Sequence, residues 1–562
     1  MKQSSISKNS KIWQEDLNYS GANNFSSFFS SNSNLHTYPA KAVPNMIKSL
    51  LETLKNHYNV TKVLDPFTGS GTVALEAKVL GLDFCGSDLN PLAVLLARTK
   101  VLSIENTSAT IDDLYTFLKH IRSPDIYEPY YNIEKFERIN FWFKEKNIEE
   151  LSFIKHKIKI FLRKQNNLFV ETYALILFTA FSSTIRAVSL TRNNEFKLYR
   201  MSPSDIKKHN VDAFEIFEKN AKNLLQMLKE ANESFLNNST AEIHLENAKK
   251  LGYIGKRKVN AVLTSPPYGD SKSTVAYGQF SKLSLQWLEN ILAEFLSINI
   301  QEVNVDELLL GGKKSTLNIN TEKEFLINHS KTLSELLLKI EKRVKKQEKK
   351  YNNILEQIKV LEKCIQQGGR ISKEKISNRH LLELINERLR LEIVRKINKL
   401  GDGKSKSQIN ILAKKQAEGL ISHLDSTNGK KRFRANIAVK AAIPFVKETV
   451  RRKLKSQPKR ATEVVNFFKD LFLVVKRTDE ILDKKGIQAW IVGHRTVLGN
   501  IKVNMQDILK DWFESLGYTE ITKLQRKYSF KRLPHHINST VTRKSKIKTM
   551  MTEHILVMQK NK

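Results

Sequence analysis

Residues 61–88 read TKVLDPFTGSGTVALEAKVLGLDFCGSD, and their order decides the fold. The apolar run TKVLD (61–65) predicts a buried strand, and PFTGSG turns on two glycines. TVALEAKVL (72–80) predicts a helix that Gly81 ends, and DFCGSD (83–88) predicts a second strand. Asn90 then stands as the cap of a further helix with Pro91 at its first position. Strand, glycine turn, helix and strand form a βαβ unit, which implies a parallel sheet with right-handed crossovers.

Outward from this unit, AEIHLE (241–246) and VNAVLT (259–264) predict two more strands, and the second runs directly into SPPY (265–268). IQAWIVG (487–493), a helix over VNMQDILKDWFESLGY (503–518), and closing strands at KYSFKRLP (527–534) and EHILVMQK (553–560) would complete a mixed sheet. On the N-terminal side the Ser- and Asn-rich residues 1–34 are expected to be poorly ordered. HTYPAK (36–41) is expected to be extended and to lead into a helix from Pro44. Residues 105–240 read as mostly helical, with SSTIRAVSLTRNNEFKLYR (182–200) as a basic loop. Further on, Leu337, Ile340, Val344, Tyr351, Ile354, Ile358, Leu361 and Ile365 recur in steps of three and four, interrupted only at Gln347. This heptad seam ends at Gly368-Gly369 and is followed by a Leu- and Ile-rich stretch over 381–400, which predicts a helical hairpin.

The whole chain of 562 residues carries 94 Lys and Arg against 58 Asp and Glu, a net charge of +36. The charge is concentrated: residues 331–460 hold 35 Lys and Arg against 13 Asp and Glu. Such a surface seeks a polyanion, and its attraction to a phosphate backbone needs no base reading. Two cysteines, Cys85 and Cys364, make neither a disulfide framework nor a metal-ligand spacing. The N-terminus has no apolar h-region, and the apolar run at Tyr173–Phe181 is short for a bilayer. The expectation is a soluble cytoplasmic protein with no membrane partner.

The turns indicate the chemistry. Gly69 and Gly71 would let backbone approach a ligand closely, and Asp88, at the end of the second strand, is placed to accept from ribose hydroxyls. The GxGxxG phosphate fingerprint is absent, because Val73 and Ala74 follow Gly71. A ligand with a ribose and no pyrophosphate fits, and S-adenosylmethionine (SAM) is the candidate. LLLGGKKST (308–316) lacks the first glycine of a P-loop and reads as a plain loop. At SPPY the prolines stiffen a strand end. Ser265 and the carbonyls before the prolines offer acceptors, and Tyr268 offers a π face, which together suit the amino group of a flipped base. Each turn alone also occurs as mere scaffold. Attack at cytosine carbon-5 would need a cysteine nucleophile, and neither cysteine sits in such a setting.

DPFTGSGT (65–72) with TSPPY (264–268) resembles the SAM-dependent DNA amino-methyltransferases of restriction–modification systems. HTYPAK looks like their motif X and GSDLNP (86–91) like motif II, while HLENAKKL (244–251) sits where motif III carries Gly-Asp, here Glu246-Asn247. The tail, from IVGHRTVLGN to EHILVMQ, is similar to the family's last strands. The resemblance implies an α/β, Rossmann-like methyltransferase fold with a mixed, mostly parallel sheet and two large helical insertions. It implies that Asp65, Phe67, Gly69, Gly71 and Thr72 shape the SAM pocket, that Asp88 holds the ribose and that Asn247 contacts the adenine. Ser265, Pro266, Pro267 and Tyr268 would grip the target amine. Serine at the first tetrad position is commoner in the cytosine-N4 group, so cytosine-N4 is the first expectation and adenine-N6 the alternative. Double-stranded DNA is the expected partner, with a cognate restriction endonuclease acting on the same site.

The implied layout is a SAM-binding half (35–104), a helical insertion (105–240), a catalytic half (241–300), a basic insertion for target recognition (301–460) and closing strands (461–562). An RNA guanine-N2 methyltransferase would share the core but usually carries an N-terminal RNA-binding domain, where this chain has a short polar stretch. A non-catalytic DNA-binding protein on the same fold is the other rival, against which the intact Gly turn and Ser265 speak.

Overall fold

A computed structural model describes residues 12–13, 17, 36–39, 42–104, 107–122, 132–192, 197–235, 239–268, 275–301, 303–312, 326–400, 405–498, 500–527, 536–538, 546–548 and 552–561. The chain divides into two compact units, one of residues 1–334 with 464–562 and the other of residues 335–463. Most of the stretch expected to be poorly ordered, residues 1–34, lies outside the described residues.

The first unit opens with α1 (Pro44–Tyr58), whose apolar stripe Met46, Ile47, Leu50, Leu51 and Leu54 is buried. β1 (Lys62–Asp65), α2 (Thr72–Val79), β2 (Asp83–Asp88) and α3 (Pro91–Lys100) follow as the βαβ unit. The cap is the expected one: Asn90 Oδ1 accepts from the Leu92 amide. Gly71 caps α2 at φ +83°, and a Cβ there would lie 2.8 Å from Ala97 Cα. The glycine therefore serves the close approach of α2 to α3.

Helices α4 (Thr107–Lys119), α5 (Ile139–Trp142), α6 (Glu145–Arg163), α7 (Asn167–Val188), α8 (Pro203–Lys208) and α9 (Ala213–Ser234) come next. Residues from α4, α6, α7 and α9 share one continuous apolar core with the sheet. Two expectations change at α7. Ser182–Val188, read as part of a basic loop, are its last two turns. The helix is also long and apolar enough to cross a membrane by length and composition, yet 67% of its most apolar window is buried inside the protein. Buried hydroxyls on it are satisfied there: Ser182 bonds His36 Nε2 and Ser284, and Thr184 donates to the Ala180 carbonyl.

After β3 (Ala241–Leu245), β4 (Val259–Thr264) and α10 (Tyr277–Leu296), the chain enters the second unit through α11 (Lys331–Gln366). α12 (Arg379–Leu400), α13 (Lys406–Ser422) and the 53-residue α14 (Gly429–Ile481) complete that unit's helices and return to the first. The heptad seam is real, with Ile354, Ile358 and Leu361 fully buried. The expected hairpin is instead a four-helix core, because the seam packs with Leu381, Ile385, Ala417, Val439 and Ile443 from α12, α13 and α14.

β5 (Leu482–Gly493), the β6–β7 ribbon (Arg495–Val497 and Ile501–Val503), α15 (Met505–Ser515), β8 (Tyr518–Lys527), the β9–β10 ribbon (His536–Asn538 and Lys546–Lys548) and β11 (Thr552–Lys560) finish the first unit. The seven-stranded sheet has the order β3-β2-β1-β4-β5-β11-β8. Its first five strands are parallel, and β11 runs antiparallel to both neighbours. The fold is α/β with a mostly parallel sheet, as expected. The penultimate strand is displaced: it occupies Tyr518–Lys527, directly after α15, while residues 528–534 of KYSFKRLP lie outside the described residues. An alternating polar segment such as TEITKLQRK suits a sheet edge, where one face meets water.

Because Gly71 combines a positive φ with a close backbone neighbour, Gly71→Ala is expected to destabilise the protein by about 1–3 kcal/mol, read as a lowered denaturant midpoint. An unchanged midpoint would refute the steric account.

Candidate active site

The carboxyl ends of β1, β2 and β4 meet at one cleft, as parallel sheets place their ligand crevices. Its empty volume, including the part open to solvent, is about 960 Å³, and it is lined by residues from the β1, β2, β3 and β4 ends. Asp65, Phe67, Gly69, Thr72, Asp88 and Asn247 line it, and so do Ser265 and Pro267. Gly71 does not, since it faces α3. Pro266 is buried and does not line it, nor does Tyr268, whose phenol oxygen lies 3.3 Å from Ser265 Oγ.

The two acids are structural as well as exposed to the cleft. Asp65 Oδ1 accepts from Thr264 Oγ1 at 2.6 Å and from the Phe67 amide at 3.0 Å. Asp88 accepts from the Gly69 amide at 2.9 Å and the Asn90 amide at 2.8 Å. Burial dominates both titrations. It pushes the Asp65 carboxyl up to about 7 and the Asp88 carboxyl up to about 6, with the hydrogen bonds pulling the other way.

Sequence reasoning missed part of the wall. Tyr38 and Tyr277 line the cleft, Tyr38 accepting from Asn90 Nδ2 at 3.0 Å. Leu308, Leu309 and Leu310 line it too, so the start of the segment read as a plain loop is part of the cleft wall. Its LLL run was the available signal, since three exposed leucines in a loop need cover. At the motif III position Glu246, Asn247, Ala248 and Lys249 all face the cleft. Lys249 pairs with the buried Asp470 at 2.8 Å, and Asp470 also accepts from the Gly311 amide.

SAM fits these residues. Acidic groups at two strand ends suit a sulfonium cation and ribose hydroxyls, and the aromatic and leucine walls suit an adenine. Cys85 lies within β2, where burial pushes its thiol up to about 12, so it is no nucleophile at neutral pH.

A family model described as D12 class N6 adenine-specific DNA methyltransferase matches residues 44–298. The type II methyltransferase M.MvaI of Kocuria varians is 29% identical over 552 residues, 94% of this chain and 90% of that protein. These matches support a SAM-dependent DNA amino-methyltransferase. A second relative of the methyltransferase, type II M.MjaII of Methanocaldococcus jannaschii, is 34% identical over 68 residues, 12% of each chain. No solved structure matches.

The raised carboxyls add a pH-dependent contribution to the stability of the ligand-free protein. Between the ordinary carboxylate value of 3.8 and the folded values, the native state holds protons that the unfolded chain has released. Their contribution to stability therefore falls as pH rises from about 4 to about 7, while His494, which burial pushes down to about 4, contributes in the opposite sense. Asp65→Asn keeps an acceptor for Thr264 and Phe67 and removes the ionisation. Its melting temperature is expected to fall less over that window than the wild type's, and parallel curves would contradict the assignment.

Proposed function

We propose that the protein transfers a methyl group from SAM to an exocyclic amino nitrogen of a base in double-stranded DNA, as the modification half of a type II restriction–modification pair. The observation that carries this reading is that Ser265 and Pro267 line the same cleft as Asp65 and Asp88, so amine-gripping groups and cofactor groups share one space. SAM supplies a methyl whose C–S bond breaks as the N–C bond forms, the amine releasing one proton to water. The protein's part is positioning: acceptors hold the amine hydrogens, and the ring of Tyr268 stacks on the flipped base.

Two bases are each favoured by one observation. The family model spanning the cofactor and tetrad segments is described as adenine-N6-specific, and this outweighs the tendency of a single residue. Ser265 at the head of the tetrad favours cytosine-N4, the second reading. Nucleoside mass spectrometry on plasmid DNA from cells expressing the protein, beside a Tyr268→Ala control, separates them. N6-methyladenine or N4-methylcytosine is expected with the wild type only. If neither appears while the purified protein binds SAM, DNA modification is abandoned for RNA, and if SAM does not bind, for a non-catalytic role.

The basic insertion is assigned to target binding. Its support is charge together with side chains suited to a duplex: on α14, Lys430, Lys431 and Arg434 are exposed beside exposed Phe433 and Ile437. Cations there would hold phosphates while the apolar groups meet sugars and base edges. Replacing Lys430, Lys431 and Arg434 by Gln is expected to weaken DNA binding and to lower the slope of log affinity against log salt by up to about 3. An unchanged slope would remove this face from the DNA interface.

A further inference from the structure

Tyr268 is held from outside the cleft by the last strands of the sheet. Its phenol donates to Glu553 Oε1 at 3.0 Å, and Ser265 Oγ lies 3.3 Å from the same phenol oxygen. Glu553 is itself fixed, because Arg526 donates to its Oε2 from Nε at 3.0 Å and from Nη2 at 2.8 Å. The two residues stand opposite one another in the β8–β11 register, and both are buried. Arg495 Nη1 reaches the Tyr268 carbonyl at 3.4 Å.

Hydrogen counting gives this chain of contacts a direction. A phenol has one hydrogen, and here it goes to a carboxylate that can only accept. The contact between Ser265 and Tyr268 must then run from the serine hydroxyl to the phenol oxygen. Ser265 has committed its only hydrogen and meets the cleft with lone pairs alone. That polarity suits an amine about to be methylated: an acceptor draws on the N–H bonds, whereas a serine donating to the nitrogen would occupy the lone pair that must form the new bond.

We propose that Glu553, clamped by Arg526, is a positioning residue that orients the Tyr268 ring and turns Ser265 into a hydrogen-bond acceptor toward the target amine. The inference rests on the functional reading given above. Tyr268→Phe keeps the ring and breaks the chain at the phenol. Glu553→Gln replaces a pure acceptor by an amide that also donates, so the direction of the chain is no longer set.

The test measures kcat and the KM for SAM in methyl transfer to DNA for both single variants and the double variant. Each single variant is expected to lose about ten- to a hundredfold in kcat with KM for SAM unchanged. The double variant is expected to be no slower than the slower single one. Multiplying defects, or a KM that rises in step, would overturn the proposal. If Glu553→Gln does not fold, Glu553→Asp keeps the charge and shortens the reach, and the same pattern is required of it. A second readout needs no methyl transfer. In protein labelled with fluorotyrosine, the ¹⁹F line lost in Tyr268→Phe identifies Tyr268 among the fifteen tyrosines. That line is expected to shift and broaden in the Glu553 variant, and an unmoved line would overturn the proposal. Wild-type protein that methylates no DNA sinks the functional reading separately, and the fluorine line still decides whether Glu553 holds the ring.

Discussion

One buried carboxylate joins the two halves of the site. Asp65 ends the strand that lies between β2 and β4, which puts it in reach of both turns. Its bond to Thr264 fastens the residue before the SPPY turn, while its bond to the Phe67 amide shapes the glycine turn. Thr68 ties the glycine turn to β1 and β2, its Oγ1 donating to the Asp65 carbonyl and its amide to the Ser87 carbonyl. Three strand ends are thereby kept in one geometry. Burying an acid this deeply is costly, and its two hydrogen bonds offset part of that cost.

The βαβ unit was legible because everything that makes it is local. The cap at Asn90, the stop at Gly81 and the apolar strands sit within a few residues of one another, and periodicity reports such features directly. The tetrad was legible for the same reason, as four adjacent residues after a strand. Fold class followed, since alternating strands and helices leave few sheet topologies.

What escaped is what distance along the chain hides. Nothing near Tyr268 announces Glu553, which lies 285 residues away and meets it only because β11 packs beside β5. Leu308–Leu310 became cleft wall through Asp470, which ties the Gly311 amide and Lys249 to α14. Serines and threonines in α7 looked like loop residues, yet each buried hydroxyl has a helical or cross-helix partner. The edge strand β8 was overlooked because its polar alternation lacks the apolar run that marked the inner strands.

The route of the chain through the sheet also has a consequence for how the protein is made. β4 and β5 are neighbours with Val262 opposite Gln488, yet the whole of the second unit is synthesised between them. A nascent chain leaving the ribosome can form β1, β2, β3 and β4 and must then keep the apolar face and open edge of β4 from mispairing while more than two hundred further residues emerge. Closure of so distant a pair favours slow, late completion of the sheet. Because the contacts that hold Tyr268 come from β8 and β11, the tetrad acquires its final geometry only when those two strands are in place. Partly synthesised chains therefore lack an assembled site even though both signature turns are already present.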